Sequence, residues 1–220
     1  RVLEIDNELI DFNEISPLAS NLGLFNKEVI FHSAMNALHL TYFPRFCLID
    51  PSFVELYEDN DLRKSIFFRV NATGITFKGM YNNRTVQFAG LATDEILLIK
   101  AESLVRTGKL IEGMNVLNSL LRFRYRKNED GTSTLHNRTA ASEEEGLKVI
   151  LAERRKELLM RGIRWSDLRR LNFDPRFAVT LSRSINGQTF TLRPNSDKYA
   201  LPIPDDEISY SGISQNPGWE

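Results

Sequence analysis

The stretch ERRKELLMRGIRWSDLRR (Glu153–Arg170) combines seven basic and three acidic side chains with one tryptophan. A stretch of this composition can be a nucleic-acid arm, a catalytic cluster or a charged part of the scaffold. Helical spacing places Arg154 in the same stripe as Leu147, Leu151 and Leu158. A guanidinium in an apolar stripe must be paired, because an isolated buried charge is strongly destabilising. The helical period therefore favours the scaffold interpretation.

Partners for Arg154 are available on its own helix. Glu157 and Glu153 are the nearest carboxylates, and a carboxylate from another helix remains equally open. In the short helix expected to follow, Asp167 can meet Arg170 or Arg164. We therefore expect structural ion pairs that involve Arg154, Glu157, Glu153, Asp167 and Arg170.

The two other interpretations of the stretch are less well supported. A nucleic-acid surface presents basic residues on a solvent face without interleaved acids, whereas acids and bases alternate here. The net charge of −1 also removes any global attraction to nucleic acid or to an anionic membrane. A catalytic cluster needs carboxylates or a nucleophile in a cleft. Glu153 and Glu157 lie one helical turn apart, but each already has basic neighbours.

The bulk composition is that of an ordinary globular protein, with 42% hydrophobic and 26% charged residues in 220. No window reaches the roughly 18 apolar residues of a membrane span. Cys47 is the single cysteine, which excludes an internal disulfide and fits no zinc signature. His32 and His39 would share a helical face, but they lack a third ligand. We predict no metal site and no cofactor.

Two parts of the chain differ in character. Residues 1–92 are loop-rich, with expected strands at Glu28–Phe31 and Ser65–Val70 and a helix at Asp50–Asp59 that begins with a cap and a proline. The opening, residues 1–15, has apolar residues at helical spacing, so we expect it to continue a helix from an upstream portion. Residues 93–220 are mainly helical, and we expect both parts to form one integrated domain.

The second part begins with a predicted helical hairpin. Thr93 is the expected cap of a first helix, Gly108 ends it, and a second helix runs from Leu110 to about Tyr125. Two helices joined so closely pack antiparallel. Gly108 and Gly113 match the turn glycine and the small crossing residue of a tetratricopeptide unit. The hairpin therefore favours an alpha-solenoid element.

A third predicted helix carries the charged stretch. Ser142 caps it, with Glu145 three residues on completing a capping box, and Gly162 ends it. Residues 174–220 are rich in proline and strand-like, with FTLRP, YALPIP and a DDEIS turn.

Four features in this order resemble the C-terminal half of the SusD/RagB family of surface nutrient-binding lipoproteins. They are TDEILLIKAESLVRTGK, the NSLLRFRY stretch, ERRKELLMRGIRWSDLRR and the ending YALPIPDDEI…QNPG. The resemblance is clear over residues 91–220 and looser over 25–90. Two positions depart from the family pattern: Arg161 stands where an acidic residue is usual, and Ser166 where an aromatic residue commonly follows the tryptophan.

The resemblance implies a mainly α-helical fold, an alpha-alpha superhelix in which tetratricopeptide-like hairpins support irregular loops and a few short strands. It also implies a non-enzymatic binder of oligosaccharides or other nutrients that delivers its ligand to a TonB-dependent, SusC-like transporter. Such a protein is a lipoprotein on the outer membrane surface. Cys47 lies mid-chain and cannot be the lipid-bearing cysteine, so the anchor and the upstream repeats are expected outside this chain.

Sugar sites combine aromatic faces with side chains that bind hydroxyl groups. The segments HLTYFPRF (His39–Phe46) and GMYNNRT (Gly79–Thr85) offer this chemistry. The family's ligand loops also tend to fall in this middle section. The predicted ligand-binding residues are Tyr42, Phe43, Arg45, Tyr81, Asn82 and Arg84, with a core role open for the aromatic ones.

Two other functions remain open. A helical adaptor for a protein partner would show several repeated hairpins, whereas the sequence shows one. A glycan hydrolase would show paired carboxylates on loops near an aromatic platform. Asp59 and Asp61 are candidates, but Arg63 and Lys64 follow immediately, and the family resemblance implies the end of a structural helix here.

Overall fold

The computed structural model describes residues 2–5, 7–18, 22–35, 47–79, 81 and 87–219. The chain divides into two compact units, Arg1–Gly162 and Ile163–Glu220. The expected change of character at residue 92 lies inside the first unit. There, β1 (Val29–Phe31) pairs with β4 (Leu91–Ala92) in an antiparallel ladder, and β4 leads directly into the first long helix.

The helices and remaining strands of the first unit are short in its first half and long in its second. In chain order they are α1 (Val2–Ile5), α2 (Pro51–Val54), α3 (Arg63–Phe67), β2 (Phe68–Asn71), β3 (Gly74–Phe77), α4 (Thr93–Arg106), α5 (Leu110–Leu121) and α6 (Glu143–Glu157). Strands β2 and β3 form a tight antiparallel hairpin. The fold is helix-rich with a few short strands, as the sequence predicts.

The predicted hairpin is present as α4 and α5. Gly108 between them has φ of +81°, which a residue with a side chain adopts only under strain. At the crossing, a methyl group on Gly113 would lie 2.5 Å from Cγ2 of Val105 and 2.8 Å from the carbonyl oxygen of Ala101. Only glycine fits at this distance, so the tetratricopeptide-like crossing is confirmed. Helix α6 packs against both helices.

Helix α6 begins where the sequence predicts and ends earlier. Oγ of Ser142 accepts the backbone N–H of Glu145 at 3.2 Å, and the Glu145 carboxylate accepts the N–H of Ala141 at 2.7 Å. This reciprocal arrangement satisfies N–H groups that have no partner within the helix. The expected end at Gly162 is wrong, because α6 stops at Glu157 and Met160 adopts a positive φ of 60°.

The first half of the unit is built around aromatic side chains. Phe67 contacts the rings of Phe12, Tyr57 and Phe77 edge-to-face, at centroid distances of 5.9 to 6.5 Å. These rings are buried and form the centre of a hydrophobic cluster. The loop-rich part of the sequence therefore has a well-packed core of its own.

Three local predictions in this half are wrong in extent. The helix expected over residues 1–15 is limited to α1 and a 3-10 turn at Phe12–Glu14. The helix expected over Asp50–Asp59 is the single turn of α2, although Asp50 caps it as predicted, accepting the N–H of Ser52 at 2.9 Å. The strand expected from Ser65 begins at Phe68, because residues 63–67 are helical.

The second unit contains two α-helices and one β-hairpin among the residues that the structure describes. They are α7 (Arg164–Leu171), β5 (Leu181–Ile185), β6 (Gln188–Leu192) and α8 (Asp205–Ser211). Trp165 stacks on Tyr199 at 4.8 Å and donates its indole N–H to the Tyr199 carbonyl oxygen at 3.1 Å. The DDEIS segment, expected to be a turn, forms α8.

Within the described part of the chain, every helix falls short of the length and apolar character that crossing a bilayer requires.

Candidate functional site

The charged stretch meets a buried arginine from a distant part of the sequence. Arg63, at the start of α3, binds both carboxylate oxygens of Asp61, at 2.9 and 2.7 Å. Its two terminal nitrogens also donate to Glu153 at 2.7 Å and to Glu157 at 2.9 Å. All four side chains are almost completely buried. Arg63 thus links the start of α3 to the last two turns of α6.

Arg124 extends this arrangement toward the N-terminal part of the chain. Its Nε donates to Glu157 at 2.7 Å, and its terminal nitrogens donate to the Glu28 carboxylate at 2.9 Å and to the Ile10 carbonyl oxygen at 2.8 Å. The guanidinium also lies 4.2 Å from the centroid of the Phe12 ring. The turn that follows α5 is thereby attached to three other segments.

A lysine completes the cluster. Nζ of Lys156 lies 2.7 Å from Glu153 and 3.7 Å from Asp61. We name this cluster the buried ion network, and its members are Glu28, Asp61, Arg63, Arg124, Glu153, Lys156 and Glu157. Because its members come from four separate segments, the network can form only in the folded chain.

Pairing keeps most of these groups ionised in spite of burial. Burial alone would raise the pKa of Asp61, but the charge of Arg63, its hydrogen bonds and Lys156 outweigh it, so the pKa is lowered. The pKa of Glu153 is lowered in the same way, by Arg63 and Lys156. Burial opposes the charge of Arg124, but Glu157 and Glu28 outweigh this effect and raise its pKa.

Glu28 differs from the other carboxylates of the network. Burial raises its pKa, and the nearby charge of Asp94 adds to this effect, although Arg124 opposes it. Tyr81 donates to Glu28, and its hydroxyl oxygen also lies 3.0 Å from Asp94. The Tyr81 hydroxyl therefore lies between two buried carboxylates, those of Glu28 and Asp94.

Two arginines of the charged stretch, Arg154 and Arg161, pair with carboxylates of helix α4. Arg154 is buried and lies 3.3 Å from Glu95. Arg161 lies 3.1 Å from Asp94, with its guanidinium 4.9 Å from the Tyr81 ring and 4.6 Å from the Phe88 ring. Of the alternatives left open by the sequence, a carboxylate from another helix is shown to pair with Arg154.

The other carboxylates for which ion pairs were expected also have partners. Glu153 and Glu157 bind Arg63, which lies about 90 residues before them in the sequence and is therefore not indicated by local spacing. In the second unit, Nε of Arg170 donates to Asp167 at 2.9 Å.

This geometry suits a scaffold better than a catalytic centre. A general acid or base must reach the proton of a bound substrate, and a hydrolase needs two carboxylates on either side of the scissile bond. Asp61, Glu153 and Glu157 are buried, and their carboxylates form ion pairs with arginine and lysine side chains. Asp59, the other carboxylate considered, is exposed and pairs with Lys64 at 2.7 Å.

Most of the predicted ligand residues lie outside the described residues: Tyr42, Phe43, Arg45, Asn82 and Arg84. Their ligand role therefore stays a prediction. Tyr81 is described, and it is completely buried. A ring without exposed surface cannot stack on a sugar, so the expected ligand role of Tyr81 is corrected to a core role. Its hydroxyl anchors the beginning of segment 81–85 to Glu28 and Asp94.

Sequence reasoning missed the four residues that organise the interior: Arg63, Arg124, Glu28 and Asp94. A signal for Arg124 was present, because it lies in the NSLLRFRY stretch among apolar residues. The sequence around Arg63 gave a weaker indication of burial. Asp61 lies two residues before it, but an Asp and an Arg at this spacing also occur at ordinary exposed helix ends. The partners of both residues are distant in sequence, so no local pattern identifies them.

Comparison of the sequence and the structure with known proteins identifies the family of the chain. Residues 80–219 match the sequence model of the SusD family. The chain belongs to the SusD family. No curated protein matches the sequence.

Solved structures of SusD-like proteins share the fold. A SusD-like carbohydrate-binding protein of Bacteroides vulgatus aligns with a TM-score of 0.60 and 22% identity, over 94% of this chain and 52% of its own. A SusD-like protein of Bacteroides fragilis aligns with a TM-score of 0.62 and 17% identity, over 99% of this chain and 60% of its own. A Bacteroides vulgatus protein named for sugar binding aligns with a TM-score of 0.66 and 22% identity, over 99% and 52%.

These structural alignments show that the chain and the three proteins share a fold. The chain spans between 52% and 60% of the length of these solved relatives.

Proposed function

We propose that this chain is part of a cell-surface protein that binds an oligosaccharide or a related nutrient without cleaving it. The observation that carries the proposal is the match of residues 80–219 to the SusD family. Two of the structural relatives are named for carbohydrate or sugar binding, which supports the ligand class. The pairing of the buried carboxylates supports a role without catalysis, because the strongest candidate acids are committed to the scaffold.

The proposed ligand site lies on the segments around Tyr42 and Asn82. Tyr42 and Phe43 supply aromatic faces, and Arg45, Asn82 and Arg84 supply groups that bind hydroxyls. The anchoring of Tyr81 by Glu28 and Asp94 supports this placement, because it holds one end of the second segment to the scaffold. Binding groups are commonly carried by loops on a rigid framework.

Family membership supports a proposal for the partner and the location. We propose that the protein acts on the outer membrane surface as a lipoprotein and delivers its ligand to a SusC-like, TonB-dependent transporter. Affinity purification of the tagged protein from outer membranes of a Bacteroides host tests this. A co-purifying TonB-dependent transporter is expected, and its absence from membranes that contain the tagged protein would contradict the partnership.

A glycan array followed by calorimetric titration tests the ligand and the site. Saturable binding of at least one oligosaccharide is expected, with no release of reducing ends after long incubation. Tyr42→Ala should weaken the affinity about tenfold, because an aromatic stacking contact is lost. The matched control is Tyr210→Ala, which removes a tyrosine that is 88% exposed in the second unit and should leave the affinity unchanged.

Two outcomes would overturn parts of the proposal. Reducing ends released by the purified protein would replace binding with hydrolysis. Saturable binding that is equally strong in Tyr42→Ala would place the ligand elsewhere on the protein.

A further inference from the structure

The β-hairpin of the second unit has two faces of different character. Strands β5 and β6 are joined by Asn186 and Gly187, whose φ values of +49° and +79° are typical of a type I′ turn. Paired residues of a hairpin point to the same face. The register therefore gives one face hydroxyl groups only, and the other face a mostly apolar character. The first face is formed by Ser182, Ser184, Thr189 and Thr191, and the second by Leu181, Arg183, Ile185, Gln188, Phe190 and Leu192.

Both faces of this hairpin are exposed. All residues of the two strands are exposed except Leu181 and Leu192, which are half-buried. Phe190 is 53% exposed and Ile185 is 45% exposed. Among the described residues, β5 and β6 pair only with each other. A two-stranded hairpin is marginally stable in water, whereas a sheet of three or more strands with an apolar face is stable. The hairpin therefore gains stability when a further strand joins one of its edges.

Each strand of the hairpin has an outer edge with unpaired backbone groups. In a hairpin with a two-residue turn, the residues beside the turn form a hydrogen-bonded pair, and such pairs alternate along the ladder. The N–H and C=O groups of Ser182 and Ser184 therefore point outward from β5, and those of Thr189 and Thr191 point outward from β6. Within the described part of the chain, none of these groups has a hydrogen-bond partner. Both edges are open to a further strand.

The two edges differ in charge. Proteins protect exposed strand edges with charged side chains or proline. Arg183 lies at the centre of β5, whereas β6 contains neither a charged residue nor a proline. When a strand pairs antiparallel with an identical strand about its central residue, that residue faces its own copy. Arg183 would then face a second Arg183, which is unfavourable, whereas Phe190 would face a second Phe190, which is favourable. The charges therefore select β6 as the edge that fits a second copy of the chain.

We propose that β6 is a self-association edge, along which two copies of this chain pair antiparallel and join their hairpins into one four-stranded sheet. On both sides of the Phe190 pair, Thr189 of one copy lies opposite Thr191 of the other, and these residues exchange about four backbone hydrogen bonds. Arg193 falls opposite Gly187 of the second copy, so the pairing brings no like charges face to face. This surface does not depend on the proposed ligand or on the segments that carry it.

The concentration dependence of the molecular mass tests the proposal. The interface is small, and interfaces below about 1,200 Å² are typical of weak association, so we expect a Kd between about 0.1 and 1 mM. Sedimentation equilibrium of the 220-residue chain is measured from about 10 µM to about 1 mM. The average mass should rise from 25.3 kDa toward twice that value. In ¹⁵N correlation spectra over the same range, the amide signals of Thr189 and Thr191 should shift more than those of Ser182 and Ser184.

Proline substitutions distinguish the two edges. Thr189→Pro removes an outward N–H from β6 and leaves the bonds between β5 and β6 intact, so it should weaken the association at least about tenfold. Ser184→Pro is the matched control, because Ser184 lies directly opposite Thr189 and its N–H points outward from β5. The Kd of this control should equal that of the unchanged chain.

Charges at the centre of β6 give a second test, which leaves the backbone groups unchanged. Phe190→Lys and Phe190→Glu each place like charges face to face, and each variant alone should remain monomeric at about 1 mM. An equimolar mixture of the two should associate, because lysine then faces glutamate. Phe190 is exposed, so both variants are expected to fold.

Three results would overturn the proposal: a chain that stays monomeric up to about 1 mM, a Ser184→Pro variant that is weakened as much as Thr189→Pro, or a mixture of the Phe190 variants that associates no better than either alone. The first result would leave the β6 edge to a different protein. None of these results bears on oligosaccharide binding, so this proposal and the proposed function fail independently.

Discussion

At the scale of single residues, burial and pairing decide what a charge does. Arg63 and Lys64 are neighbours in the sequence, yet Arg63 is fully buried among three carboxylates and Lys64 forms one exposed pair with Asp59. A buried network gains little over an apolar core of the same shape, but it loses stability steeply when one member is removed. An exposed pair is screened by water and contributes little.

Arg63→Met tests this difference. The substitution leaves Asp61, Glu153 and Glu157 without their shared cation, and we expect it to lower the free energy of unfolding by about 3–5 kcal/mol. Urea unfolding followed by circular dichroism measures the change. Lys64→Met is the matched control and should leave the unfolding midpoint unchanged. Equal midpoints for the two variants would show that the network does not stabilise the fold.

At the scale of helices and strands, local signals account for the second half of the first unit. Helices α4, α5 and α6 were predictable because their apolar spacing, turn glycine and capping box are all local features. The end of α6 could not be predicted in this way. Met160 adopts a positive φ, and methionine is not a residue type from which a positive φ is expected. The short elements of the first half were predicted poorly, because an aromatic core and ion pairs between distant segments determine them.

The crossing of α4 and α5 gives a prediction at this scale. Gly113→Leu places a side chain where even a methyl group would lie 2.5 Å from Val105. The helices must separate, and we expect the free energy of unfolding to fall by about 1–3 kcal/mol, as overpacked cores show. Asn115→Ala, at an exposed position of α5, is the control and should not destabilise the protein.

Thermal or urea unfolding measures both helix variants. An unchanged midpoint for Gly113→Leu would mean that the hairpin is not packed as closely as the structure has it.

At the scale of the whole molecule, family and fold class were readable from the sequence, whereas the interior was not. Four separate motifs in a fixed order identified the SusD family, and the family match bears this out. The same motifs do not reveal that Arg124 joins Glu28 to Glu157, since these partners lie 96 and 33 residues away.

The central claim is that the charged stretch supports the fold and takes no part in ligand binding. The calorimetric affinity of Glu153→Gln for an oligosaccharide that the unchanged protein binds tests it most directly, at a temperature where both proteins are folded. Glutamine keeps the shape of the side chain but removes the charge that faces Arg63 and Lys156. We predict an affinity within about twofold of the unchanged protein, together with a lower unfolding midpoint. A loss of affinity of about tenfold or more in the folded variant, with its midpoint unchanged, would contradict the account.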